Sequence, residues 1–227
     1  MQEMIGLEIQ DADVLLVATN KYQPELTGVG STEAETQQLS ATKVSLNEKE
    51  LTHEAMVNHV HLLTNDQNVL IAQSWNVIGK IRAAAKVQFF KDKLMQKEFH
   101  VGSKTHQKVA GTMTELSYVK GLMTTYATQL ATRGIGAADI TGLNACYDGL
   151  QAKDAEQENA KKLQTTFRNE RDTLLKDMKD MKSKIRGSAA ICFRGNPDIL
   201  NEFKSIIKKK SAKKTDTDTS TDNPTAG

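Results

Sequence analysis

Met56, Val60, Leu63, Gln67, Leu70, Ser74, Val77, Ile81 and Ala84 follow one another in alternating steps of four and three residues. Such spacing keeps all of them on one face of a helix, and sustained over many turns it predicts long helices packed side by side in a bundle or coiled coil. A second stripe holds Phe167, Leu174, Met178, Met181 and Ile185, with Arg171 where the first has Gln67. Ile71, Trp75 and Ile78 broaden the first stripe, whereas Lys179 and Lys182 replace Trp75 and Ile78 in the second. The first long helix is therefore expected to be the more central of the two.

Shorter elements flank each stripe. A helix is predicted over about residues 8–21, ending before Pro24. The turn Gly28-Val29-Gly30-Ser31-Thr32 follows, then a helical stretch reaching Val44. Ser45 and Glu48 read as a capping box that opens the long helix, and Gly149 stands at the position matching Ser45, so a break or bend is expected in both places. Val109, Met113, Leu116, Val119, Met123, Tyr126 and Leu130 predict another helix within residues 104–132. Asn196-Pro197 predicts the start of a last one, with Asn as cap and Pro in the first turn.

The two halves of this pattern are the same pattern. Shifted by 104 residues, residues 22–99 align on 126–203 without a gap. Lys80-Ile81-Arg82, Ala85, Phe89 and Glu98-Phe99 return as Lys184-Ile185-Arg186, Ala189, Phe193 and Glu202-Phe203. Tyr22, Leu26, Gly30, Leu39, Ala41 and Leu46 return as Tyr126, Leu130, Gly134, Leu143, Ala145 and Leu150. Self-similarity at a fixed period marks a repeated structural unit. The expected fold is an all-α, elongated helical bundle with long heptad-patterned helices, built from a tandem duplication. Residues 1–103 form helical repeat 1, residues 104–207 form helical repeat 2, and residues 208–227 form a disordered tail, Lys-rich and then rich in Thr and Asp. Within the repeat, Arg82 and Arg186 are expected to meet Glu98 and Glu202 as the short helices turn back.

Composition narrows the class. With 38% apolar, 26% charged and only 5% aromatic residues, the 227-residue chain suits helices with polar outer faces and is poor in the residues that sheets favour. The formal charge of +2 is unevenly spread, with residues 1–50 net acidic and residues 76–108 net basic. No leader and no membrane-spanning run is read from the sequence. Cys146 and Cys192 would lie far apart on one helix, too far to bridge, and two unpaired thiols suit a reducing cytoplasm.

Candidate chemistry is sparse. Glu50-x-x-His53 has the spacing of a metal-ligand pair on a helix, but repeat 2 offers Asp154 and Gln157 there. His59 and His61 likewise meet Leu163 and Thr165. The Gly28–Thr32 segment lacks the strand and the lysine of a phosphate-binding loop and reads as a turn. His100 and His106 form no catalytic set with Cys146 or Cys192. No catalytic, cofactor-binding or metal-binding residue is assigned, and no cofactor is expected. Gln67 and Arg171, polar in core-type positions, would either set helix register or line a cavity. The lysines from Lys204 to Lys214 would give at most weak, nonspecific nucleic-acid contact. The expectation is a non-enzymatic structural or protein-interaction bundle in the cytoplasm, with a protein partner or self-association and no membrane. The alternative is a ligand- or nucleic-acid-binding bundle that uses its basic regions.

Overall fold

The computed structural model describes residues 2–207. The expected tail, residues 208–227, lies outside them. Among the described residues seven helices follow in order: α1 (Gln2–Lys21), α2 (Gln23–Thr27), α3 (Glu33–Gln88), α4 (Lys93–Glu98), α5 (Val109–Ala131), α6 (Ala137–Cys192) and α7 (Pro197–Glu202). Among the described residues there is no strand, and the protein is all-α. None of these helices is long and apolar enough to cross a membrane.

The long helices α3 and α6 contain 56 residues each and begin 104 positions apart, as do the six-residue helices α4 and α7. Local chemistry sets these boundaries. At Gly30 and Gly134 the backbone takes a positive φ of 89° and 77°, which glycine adopts without strain. There Ser31 N and Ile135 N reach back to the carbonyls of Leu26 and Leu130 and close the preceding helix. α3 then opens on a reciprocal box: Glu35 N donates to Thr32 Oγ1, and Thr32 N donates to the Glu35 carboxylate. α6 opens on half of it, Gly136 N donating to Asp139 Oδ2. Asp92 caps α4 through Leu94 N and Met95 N, and Asn196 caps α7 through Ile199 N.

The breaks expected at Ser45 and Gly149 do not occur. α3 and α6 run through both positions. Leu39 and Leu46 on one side, and Leu143 and Leu150 on the other, are fully or almost fully buried. Packing of that apolar face outweighs a weak local capping signal. Gly149 faces Leu70, and a Cβ there would stand 3.4 Å from Leu70 Cδ2, an ordinary van der Waals contact.

The chain divides into two compact units that cut across the sequence repeats. The first takes residues up to Leu46 and those from Leu174 onward: α1, α2, the start of α3, the end of α6, and α7. Its core gathers Ile5, Leu15, Leu26, Leu39, Leu46, Met178, Ile185 and Phe203. The second is Asn47–Thr173, built from the rest of α3, α4, α5 and the start of α6, around Ile78, Ile81, Phe99, Leu116, Met123, Leu130 and Leu150. Each unit thus draws on both halves of the sequence. An aromatic trio shows the exchange. Tyr22 packs on Phe193 and Phe203 at centroid distances of 5.2 and 6.0 Å, and Tyr126 packs on Phe89 and Phe99 at 6.0 and 5.5 Å. In both cases the tyrosine comes from one half of the sequence and the phenylalanines from the other. Contacts of this kind add about 0.5–1.5 kcal/mol per pair beyond the area they bury.

Candidate functional site

Arg82 lies near the end of α3 and Arg186 near the end of α6. Neither forms an ion pair with the glutamate expected from sequence. Arg186 Nη2 donates to both oxygens of Asp11 on α1, at 2.9 Å each. Arg82 Nη2 donates to Glu115 Oε1 on α5, at 2.7 Å. The segments around the short helices offer their main chain to these arginines: Phe203 O accepts from Arg186 Nε, and Ser103 O from Arg82 Nη1. Glu202 turns outward to Lys21 and Tyr22, each at 2.9 Å. Asp11 and Glu115 are themselves 104 positions apart. Carrying the repeat upstream of Tyr22 would have found this pair in the sequence.

In the first unit the clasp grows into a buried ionic cluster. Lys182 Nζ donates to Asp11 Oδ2 at 2.9 Å, to the Glu8 carbonyl at 3.1 Å and to the Glu8 carboxylate. Lys179 reaches Glu8 at 3.2 Å. Ser205 Oγ and Ile206 N both donate to Asp11 Oδ1 at 2.9 Å, which fastens the segment after α7. Burial pushes the Asp11 carboxyl up. The hydrogen bonds from Lys182, Arg186, Ser205 and Ile206 more than offset it and hold the carboxyl down to about 2. Beside the cluster opens a cleft of about 440 Å³, lined by Glu8, Asp11, Lys179, Lys182, Arg186 and Ser205 among others.

The second unit fills the matching place with apolar and aromatic groups. Trp75 and Ile78 stand where the first unit has Lys179 and Lys182. The Trp75 ring lies 5.3 Å from the Arg82 guanidinium, and its Nε1 donates to His106 O at 2.7 Å. His100 Nδ1 lies 3.0 Å from both Glu115 oxygens, and its ring stacks on Tyr118. Arg82 Nε is buried without a hydrogen-bond partner.

Gln67 and Arg171 are both buried and neither lines the cleft. Each reaches across to the other long helix inside the second unit. Gln67 Nε2 donates to Asp154 Oδ1 at 3.3 Å, and Arg171 Nη1 donates to Glu50 Oε2 at 3.1 Å. Glu50 and Asp154 are repeat counterparts, as are Gln67 and Arg171. In this unit the two helices run antiparallel, and the two cross-pairs sit on one register of that packing. His53 Nδ1 faces Arg171 at 3.2 Å, so the Glu-x-x-His pair is turned toward a guanidinium. His59 and His61 are exposed. Among the described residues no group of three or more His, Cys, Asp or Glu side chains is placed to hold a metal ion. Cys146 and Cys192 are free thiols, the first buried and the second half-buried.

Comparison with protein-family models, with curated proteins and with solved structures gives no match. Fold and site define the class: an all-α protein of two helical units, each fastened by an arginine–carboxylate clasp, α6 to α1 in the first and α3 to α5 in the second.

Proposed function

We propose that this is a non-enzymatic structural or protein-interaction protein, formed by tandem duplication of a unit of roughly 100 residues whose heptad-patterned long helices pair as an antiparallel coiled coil. The observation that carries the reading is the commitment of the buried charges to one another. Asp11, Lys182 and Arg186 in the first unit, and Arg82 and Glu115 in the second, each join two helices. Buried pairs of this type hold geometry more than they add stability, which suits a scaffold that presents its outer faces to partners. The matching boundaries of α3 and α6 support the duplication. A cytoplasmic location is part of the proposal and rests on the free thiols.

The cleft beside Lys179, Lys182 and Arg186 favours a second reading, a bundle that binds an anionic ligand or nucleic acid. Those cations already face Glu8 and Asp11, so an anion would have to displace a carboxylate. The test uses the full chain, captured from its native host and then mixed with the purified partner. A stoichiometric protein complex that survives high salt supports the interaction reading. Binding to a generic polyanion that weakens steeply with salt, without any protein complex, would replace it.

A further inference from the structure

We propose that His100 is a phosphoryl-acceptor site, which takes the group on Nε2 from a small phosphoramidate or acyl phosphate. Such a site goes beyond the interaction reading and does not depend on it. The Glu115 carboxylate is buried and already accepts from Arg82 Nη2 at 2.7 Å. A carboxylate paired with a guanidinium can only accept, so His100 Nδ1, 3.0 Å from both of its oxygens, is the donor. In the neutral ring this leaves the lone pair on Nε2. Among the described residues nothing hydrogen-bonds Nε2, and the His100 side chain keeps 39% of its surface exposed.

The ring is held in place on its other sides as well. It stacks on Tyr118 with centroids 4.6 Å apart and planes 11° from parallel. Tyr118 Oη donates to Glu98 O at 3.0 Å, which ties the stacking partner to the end of α4. His100 has a φ of 50°, alone among the described residues other than glycine in taking a positive value. That region costs energy for a side-chain-bearing residue and persists only where the surroundings impose it. None of this is needed to fasten a unit. The first unit closes its clasp, Arg186 on Asp11, with Lys204 and Val14 at the positions of His100 and Tyr118.

Charge selects the incoming group. Over residues 93–108 the chain carries Lys93, Lys97, Lys104 and Lys108 against the single acid Glu98. This excess favours a dianionic phosphoryl donor over a neutral acyl donor. Histidine is itself a competent nucleophile. The Nε2 lone pair forms the bond to phosphorus. The protonated nitrogen of a phosphoramidate leaves as ammonia with the bonding pair, and an acyl phosphate releases its carboxylate in the same way. The ring gains one positive charge, and Nδ1–H presents it to Glu115, which balances it. Each chain takes one phosphoryl group, so the step is a modification without turnover.

Incubation of the full chain with potassium phosphoramidate, read by tandem mass spectrometry and phosphorus NMR, tests the assignment. His100 should be labelled on Nε2 at least about tenfold faster than the exposed His59 and His61 of the same chain. His100→Asn, whose side chain tolerates a positive φ, should stay folded and lose this label. Glu115→Gln should slow labelling at least about tenfold, the usual effect of removing the group that orients a reactive imidazole. Should Glu115→Gln fail to fold for want of the Arg82 pair, nitrogen-15 NMR of the wild-type imidazole rings decides, with the neutral His100 ring expected to carry its proton on Nδ1. Labelling of His100 no faster than that of His59 and His61 overturns the proposal. So does a folded Glu115→Gln variant that labels at the wild-type rate, or a neutral His100 ring with its proton on Nε2.

Discussion

Around Arg186 the first unit buries three further charged residues, Glu8, Asp11 and Lys182, while around Arg82 the second unit places a half-buried tryptophan and a buried isoleucine. The frame is common: an arginine near the end of a long helix, a carboxylate from α1 or α5, and a backbone carbonyl from the segment of the short helix. The difference traces to paired changes. Where α6 carries Lys182, α1 supplies Glu8; where α3 carries Ile78, α5 supplies the buried Thr112. A lysine ammonium taken out of water needs an acid beside it, and an isoleucine does not. One frame therefore accepts an ionic or an apolar filling, provided both sides change together.

Removing the shared carboxylate from the ionic version breaks the comparison most severely. Asp11→Ala would leave Lys182 and Arg186 facing each other without their common acceptor, and would release Ser205 and Ile206. A loss of about 3–5 kcal/mol is expected, the range for one partner deleted from a buried pair. Urea unfolding measures it.

Acid should act on the first unit in the same way, with a smaller effect. The Asp11 carboxyl is held at about 2 in the folded protein, below its ordinary value of 3.8. Its contribution is therefore complete above pH 3.8 and is lost as pH falls toward 2. The difference between 3.8 and about 2 corresponds to about 2–3 kcal/mol. Between pH 5 and pH 2 the wild type should lose about that much more stability than Asp11→Asn, which has no carboxyl to titrate. Parallel pH profiles for the two would show that the clasp does not set the acid response.

A transplant sharpens the comparison with the smallest net effect. Lys182→Ile alone leaves Glu8 with only the exposed Lys179, and Glu8→Thr alone leaves Lys182 with one carboxylate fewer. Together they give the first unit the isoleucine and threonine that Ile78 and Thr112 supply in the second. The double variant should be more stable than the sum of the single losses by about 1–3 kcal/mol, the range for residues in one network. Strict additivity would mean that Glu8 and Lys182 do not depend on each other.

The sequence determined what depends on neighbours along the chain. Stripe positions such as Leu63, Ile81, Met178 and Ile185 are buried because a spacing of three and four turns them to one side of a helix, whatever that side meets. Gly30, Gly134, Asp92 and Asn196 end or open helices through bonds to residues within a few positions of themselves. Repetition at 104 residues showed that the two halves share these features. It could not show which half packs against which. Only the tertiary structure decided that the start of α3 shares a core with the end of α6, and that Arg186 meets Asp11 instead of Glu202. Local spacing does not constrain partners 175 positions apart; the recurrence of an acid at positions 11 and 115 marks the two carboxylates as equivalent but not the arginine that each one meets. The failed breaks at Ser45 and Gly149 have the same cause. A cap is worth about 1 kcal/mol, and the leucines buried on both sides are worth several times that once a core exists to receive them.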